Sequence, residues 1–234
     1  MLKAMNPDKM LALGFLGMTA VTGLVDAVSF LSLGRVFTAN MTGNVVILAF
    51  ASAGVSELSV SRSLSALLAF LVGAALGGRI MAHATAELQI RLALVAFRVE
   101  IAFLLAATIC GVGYRIGSSG RPLQLYGLIA LTALAMGARN AAARKLAVPD
   151  LTTTVLTLTI TGLAADSFLA QGNNPRWQRR LGAVLAMFAG AALGAILLRH
   201  SVFAALALAV TTSSLCSFAL LTSANLRSSR PQVT

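Results

Sequence analysis

The chain has 234 residues, 58% of them hydrophobic and only 11% charged, against roughly a quarter charged in an ordinary soluble domain. This balance excludes a soluble globular domain and identifies an all-α integral membrane protein. The formal charge of +11 would suggest nucleic acid as a partner of a soluble protein. Here Lys and Arg stand at the ends of apolar runs rather than along one stripe, so the charge sets orientation and no nucleic acid is expected.

A helix needs about 20 mostly apolar residues to cross ~30 Å of hydrocarbon. Six runs qualify, at roughly 11–34, 62–81, 97–114, 122–143, 181–198 and 202–222. They leave no room for a soluble domain, so residues 1–234 are read as a single membrane domain. The first run is too long for a signal-peptide core and lacks a small-residue cleavage site, so it is read as a retained helix.

Run one carries Thr19, Thr22, Gly23, Asp26 and Ser29 at spacings of three and four, on one helical face that should point into protein. Asp26 is costly there. An aspartate at a helix centre costs roughly 2.5–3.5 kcal/mol on insertion scales, against a gain of about 0.3–0.6 for each Leu, Ile, Val or Phe. Positions 36–53 are apolar enough to enter the membrane, yet Asn40, Thr42, Gly43 and Asn44 interrupt them, which predicts a broken or re-entrant helix. Run two contains Gly73-Ala74-Ala75-Leu76-Gly77, a small-xxx-small surface for close helix packing. Positions 82–96 read as a more polar connection lying on the membrane surface.

Run four ends in Met136-Gly137-Ala138-Arg139-Asn140, and a second polar segment follows at 150–169, with Thr153, Thr154 and Thr157. Arg139 stands close enough to the end of its run to snorkel to the surface; pairing with Asp26 is the other reading. Run five repeats the pentapeptide as Gly190-Ala191-Ala192-Leu193-Gly194. Cys110 and Cys216 show no metal-ligand or CxxC spacing and read as small buried hydrophobes.

The matches recur in order. Gly23 and Asp26 fall on Gly137 and Asn140 at an offset of 114, Thr42 on Thr157 at 115, and Gly73 and Gly77 on Gly190 and Gly194 at 117. The spacing predicts two homologous halves of about 115 residues, 10–116 and 122–224, followed by a polar tail at 225–234. With six crossings and a cytoplasmic start, only Arg35, Arg62, Arg115, Arg121 and Arg199 of the 18 Lys and Arg residues lie outside. Letting both polar segments cross as well removes that bias. The positive-inside rule therefore favours six crossings, three per half, with both termini cytoplasmic and the halves inverted.

These residues resemble the YoaK family of bacterial membrane proteins, over nearly the whole chain. The resemblance is carried by Gly23, Asp26-Ala27, Phe30, Gly34, Val36-Phe37 and Ala39-Asn40-Met41-Thr42-Gly43-Asn44, then by Met136-Gly137, Asn140-Ala141, Val148-Pro149-Asp150 and Thr152 to Thr157. The chain departs from that pattern at Arg139, where glutamine is usual, and at Leu158, where a second Thr-Gly pair would stand. The resemblance implies a multi-pass protein of the bacterial inner membrane and supplies no substrate.

An intramembrane acid is by default a proton carrier, an ion ligand or the partner of a buried cation. Broken helices present free backbone groups to a substrate near the midplane. Asp26, Asn40, Thr42, Gly43, Asn44, Asn140, Thr153, Thr154 and Thr157 are thus the candidate substrate- or ion-binding residues, with Arg139 as a candidate charge partner and Gly73, Gly77, Gly190 and Gly194 as packing residues. The alternative for the polar residues is that they cap and pack the breaks. The function expected is transport of a small solute or ion, with proton coupling at Asp26. A non-transporting receptor or assembly partner is the alternative. With no HExxH, no GxSxG and no acid pair of suitable geometry, neither an enzyme nor a cofactor or metal is expected. The partners expected are the lipid bilayer and an unidentified solute or ion, and a homo-oligomer is left open.

Overall fold

The computed structural model describes residues 7–83, 85, 89–117, 121–146 and 156–228. Among them are eight α-helices and no strand: α1 Pro7–Ser32, α2 Met41–Ser52, α3 Val60–Ile80, α4 Gln89–Cys110, α5 Pro122–Leu146, α6 Leu156–Ala165, α7 Trp177–Leu197 and α8 Val202–Ser228. Six are long and apolar enough to cross a membrane, and α2 and α6 are shorter apolar helices. At 1.5 Å per residue, the 12 residues of α2 and the 10 of α6 reach only about 18 and 15 Å.

Two boundaries differ from the sequence expectation. The connection expected over 82–96 is half helix, because α4 begins at Gln89. Ala93, Leu94, Ala96 and Phe97 are buried while Arg91, Val95 and Arg98 are exposed, so the stretch is amphipathic along a helix. At the other end of the chain, α8 continues to Ser228, into the expected polar tail.

α1 and α5 are the most buried of the spanning helices, and α3 and α7 the least. Each peripheral helix packs along the inner helix that is distant from it in sequence: α3 lies on α5 and α7 on α1. α4 joins α5, α8 joins α1, and α4 and α8 meet each other. The short helices sit outside this framework, α2 on α3 and α6 on α7. An exposed ion pair between Arg35 and Glu57 ties the chain before α2 to the chain after it. Arg180 ties the turn after α6, reaching Asp166 Oδ2 and Gly162 O at 2.6 Å each.

The glycine pentapeptides make the close approaches. A Cβ added at Gly73 would stand 2.8 Å from Leu134 Cα, and one at Gly77 2.9 Å from Ala138 Cα. On the other pair, Gly190 would meet Ala20 Cα at 2.9 Å and Gly194 the Leu24 carbonyl at 3.0 Å. The inner helices answer with their own glycines: Gly137 faces Ala74 N at 2.7 Å and Gly23 faces Ala191 N at 2.9 Å. Between lipid-bathed helices, where no hydrophobic driving force acts, such backbone contact is a main source of association.

Each glycine contact can be tested by adding one methyl group. Gly190→Ala should lower the thermal stability of the detergent-purified protein by about 1–3 kcal/mol through overpacking. Gly78→Ala, on the open side of α3 with nothing within 4 Å, should be neutral or up to about 1 kcal/mol stabilising. Equal unfolding temperatures for the two variants would contradict the assigned helix contacts.

Candidate functional site

Two apolar clusters fill the bundle, separated by a polar layer. One contains Phe15, Met18, Leu94, Phe97, Ala142 and Cys216, and the other Leu24, Leu104, Ile129, Met136, Ala205 and Ala209. Between them, one residue from each of the four inner helices enters a single network: Thr22 from α1, Glu100 from α4, Arg139 from α5 and Ser213 from α8. Thr22, Glu100 and Ser213 each stand near the middle of the spanning stretches Leu13–Ser32, Arg91–Cys110 and Val202–Thr222. The layer therefore lies at mid-membrane depth.

Arg139 is the hub. Its guanidinium pairs with Glu100 Oε1 at 3.1 Å, and the two side chains are only 1% and 0% exposed. It also donates to the Met18 carbonyl at 3.1 Å and to Thr22 Oγ1 at 2.6 Å, and approaches Met136 Sδ at 3.1 Å. Ser213 Oγ donates to Glu100 Oε1 at 3.2 Å. Two atoms are left over, because Glu100 Oε2 and Arg139 Nε are buried with no hydrogen-bond partner among the described residues. A buried charge normally has its hydrogen-bonding capacity filled, so leftover atoms on both members of an ion pair call for an explanation.

Arg139 therefore does not snorkel, and its ion-pair partner is Glu100 rather than Asp26. The snorkelling expectation fails because the guanidinium turns inward, where a carboxylate, a hydroxyl and a carbonyl solvate it better than lipid would. Glu100 was missed in the sequence, although it carries the same signal as Asp26, an acid inside an apolar run.

Asp26 stands one helical turn from Thr22 and is itself buried. Its Oδ1 accepts the Ala39 N–H at 2.9 Å. Asn44 grips the same segment, with Oδ1 accepting from Phe37 N at 2.9 Å and Nδ2 donating to the Phe37 carbonyl. Asn40 caps α2 by accepting from Gly43 N at 3.4 Å. Phe37 stacks on Phe30 with ring centroids 4.9 Å apart. Asp26, Asn40 and Asn44 thus fold residues 36–40 back against α1 and satisfy backbone groups that lipid cannot.

The other candidates are spread out. Thr42 is exposed and Gly43 half-buried on α2. Asn140 is buried on α5 and donates to the Met136 carbonyl at 2.8 Å. Thr153 and Thr154 lie outside the described residues, and Thr157 is exposed on α6. Because α2 packs on α3 and α6 on α7, Asn40 to Asn44 are not brought together with Thr157. Gly73, Gly77, Gly190 and Gly194 occupy the helix contacts described above. Cys110 and Cys216 are both free thiols, half-buried and buried respectively. No group of three His, Cys, Asp or Glu residues suited to a metal ion occurs among the described residues.

The buried pair makes a distinctive mutational signature. Glu100→Gln or Arg139→Met alone leaves the opposite charge uncompensated and should cost about 3–5 kcal/mol. The double substitution should cost clearly less than the sum of the singles. Additive losses in thermal unfolding would show that the two side chains do not interact.

Comparison with known proteins places the chain in a family. A curated relative, the UPF0700 transmembrane protein YoaK of Bacillus subtilis (strain 168), is 37% identical over 144 residues, which is 62% of this chain and 61% of the relative. The aligned part thus spans about three fifths of that relative's length. No solved structure matches. The model of the family described as "Protein of unknown function (DUF1275)" matches residues 14–219, from the first turns of α1 to the last turns of α8. The chain is a multi-pass transmembrane protein and belongs to this YoaK-like family.

Proposed function

We propose that the protein moves a small solute or ion across the bacterial inner membrane by alternating access, with the Glu100–Arg139 pair as its coupling centre. The observation that carries this reading is the ion pair itself, buried at mid-membrane depth where four helices meet, with one carboxylate oxygen unpartnered. A charge pair in that position is costly and serves a function by default. While Glu100 is ionised, Arg139 holds it and locks α4 and α5 to α1 through Thr22. A proton or cation taken up by the free Oε2 weakens that hold, so that occupancy and helix arrangement become interdependent.

The reading includes an inverted repeat, and several features support it. The helix contacts are unchanged when α1, α2, α3 and α4 are exchanged for α5, α6, α7 and α8. The glycine contacts obey the same exchange: Gly73 on Leu134 corresponds to Gly190 on Ala20, and Gly137 on Ala74 to Gly23 on Ala191. Glu100 and Ser213, 113 residues apart and each near the middle of its helix, touch each other, as residues beside a two-fold axis would. Re-entry of α2 is supported by the Arg35–Glu57 pair, which joins the two flanks of its segment at one end of the bundle. Transporters built from inverted repeats hold their substrate at such an interface.

The alternative, a receptor or assembly partner that carries no flux, is favoured by the internal satisfaction of Asp26, Asn40 and Asn44, which leaves those residues little to offer a ligand.

Orientation is the first test. Both termini and the 173–180 loop should be cytoplasmic, with 117–121 on the other side. Single cysteines in a cysteine-free background should follow that pattern with an impermeant thiol reagent, and labelling of 173–180 from outside intact cells would sink the six-crossing arrangement.

Flux is the second. A ligand found by thermal stabilisation of the purified protein should be taken up by reconstituted wild type in a pH-dependent manner and not by Glu100→Gln. Loss of uptake in a Glu100→Gln protein that remains folded and still binds the ligand, with retention in Asp26→Asn, assigns coupling to Glu100. The opposite pattern returns it to Asp26, and equal uptake by all three removes both. Ligand binding without any flux would favour the receptor reading.

A further inference from the structure

At the end of the bundle where α1 finishes and α3 and α5 begin, a cavity of about 330 Å³ opens between the helix ends. Arg62, Arg121, Tyr114, Tyr126, Gly34 and Gly117 contribute to its wall. No acidic residue lines it, and the side chains of Arg62 and Arg121 form no ion pair or hydrogen bond among the described residues. The acid nearest in sequence, Glu57, is engaged by Arg35. Two unneutralised arginines thus line one open cavity.

The helix geometry adds to this charge. Arg62 is in the first turn of α3 and Arg121 immediately precedes α5, whose first turn it joins by accepting from Leu125 N at 3.2 Å. Neither helix carries an acidic residue in its first turn. Arginine at a helix N-terminus opposes the macrodipole, since both ends are positive. Two parallel helices that share this arrangement at one cavity are destabilised together unless an anion enters. Close packing holds Arg62 in place, while Arg121 is exposed. The Arg62 guanidinium lies against Gly34, whose φ of +90° and lack of a side chain open the space for it. Arg121 lies 3.9 Å from the position a Cβ on Gly113 would take. One hydroxyl contributes as well: Tyr126 shares a 2.7 Å bond with Ser61 that leaves its own proton free when Ser61 donates, whereas the Tyr114 proton is taken by the Ser32 carbonyl at 3.0 Å.

We infer that this cavity is a binding site for a phosphate-type oxyanion, held by the Arg62 and Arg121 guanidinium groups. A tetrahedral dianion accepts several charge-assisted hydrogen bonds at once, and planar guanidinium forks match its oxygens. The phosphate has two physical sources, free in solution or on the headgroup of an anionic lipid, because helix ends are where headgroups lie. The site is independent of transport and needs no flux to be detected.

Unfolding temperatures of the full chain in a non-ionic detergent, measured with inorganic phosphate against chloride at equal ionic strength, form the first arm. Short-chain phosphatidylglycerol against phosphatidylcholine forms the second. Phosphate or phosphatidylglycerol should stabilise the wild type. Arg121→Gln, at an exposed position that should not disturb folding, should raise the apparent Kd about tenfold or more. Arg62→Gln should do the same, and Arg62→Lys should restore part of the loss. A response to free phosphate identifies a soluble oxyanion, and a response confined to phosphatidylglycerol identifies a lipid headgroup. No selective shift in either arm, or a shift that survives the Arg62→Gln/Arg121→Gln pair, would overturn the assignment.

Discussion

The contact between Arg139 and Glu100 holds the four inner helices of this protein to one another. In water such a pair would contribute little. In a bilayer, a lone arginine at a helix centre costs about 2.5–3.5 kcal/mol or more, and the pair becomes the arrangement in which neither charge faces lipid. Because Arg139 also reaches Thr22 and the Met18 carbonyl, and Glu100 reaches Ser213, the geometry of one guanidinium fixes the relative depth of α1, α4, α5 and α8. The apolar clusters on either side can then be filled by residues with no directional preference of their own.

The peripheral helices follow a different rule. α3 and α7 have little buried surface and hold their places by glycine contacts with backbone, each to an inner helix from the other half of the chain. Polar chemistry sets the centre and small residues set the rim. The polar residues at 26, 40 and 44 serve a third purpose, folding the chain between α1 and α2 back onto α1.

Much of this was legible in the sequence. Six spanning helices follow from run length and apolarity, and the two glycine pentapeptides announced close helix contacts that the structure contains. The central pair was not legible as a pair. Starting run three at residue 97 puts Glu100 in a first turn, where an acid draws little attention. With α4 beginning at Gln89, the same residue stands at mid-depth. Arg139 is seven residues from the end of α5, within snorkelling reach, and only the positions of α1 and α4 decide that it turns inward. Counting along one helix cannot reveal a partner on another. Asn40 and Asn44 were read as interruptions within a helix over 36–53, whereas Asn40 caps the start of a continuous α2 and Asn44 lies inside it; their bonds to Gly43 and Phe37 are local, and sequence alone does not distinguish a cap from a ligand.

The crossed packing of the two halves bears on how the protein is made. α1, carrying Asp26, enters the membrane well before α7 and α8, the helices that cover it, are synthesised. α3 likewise waits for α5. Glu100 and Arg139 escape this delay because α4 and α5 are consecutive and packed together, so they can enter lipid as a hairpin with their charges already matched. Insertion of that hairpin supplies an internally neutral core, and the exposed faces of α1 must be tolerated by lipid, or shielded by the insertion machinery, until α7 and α8 arrive.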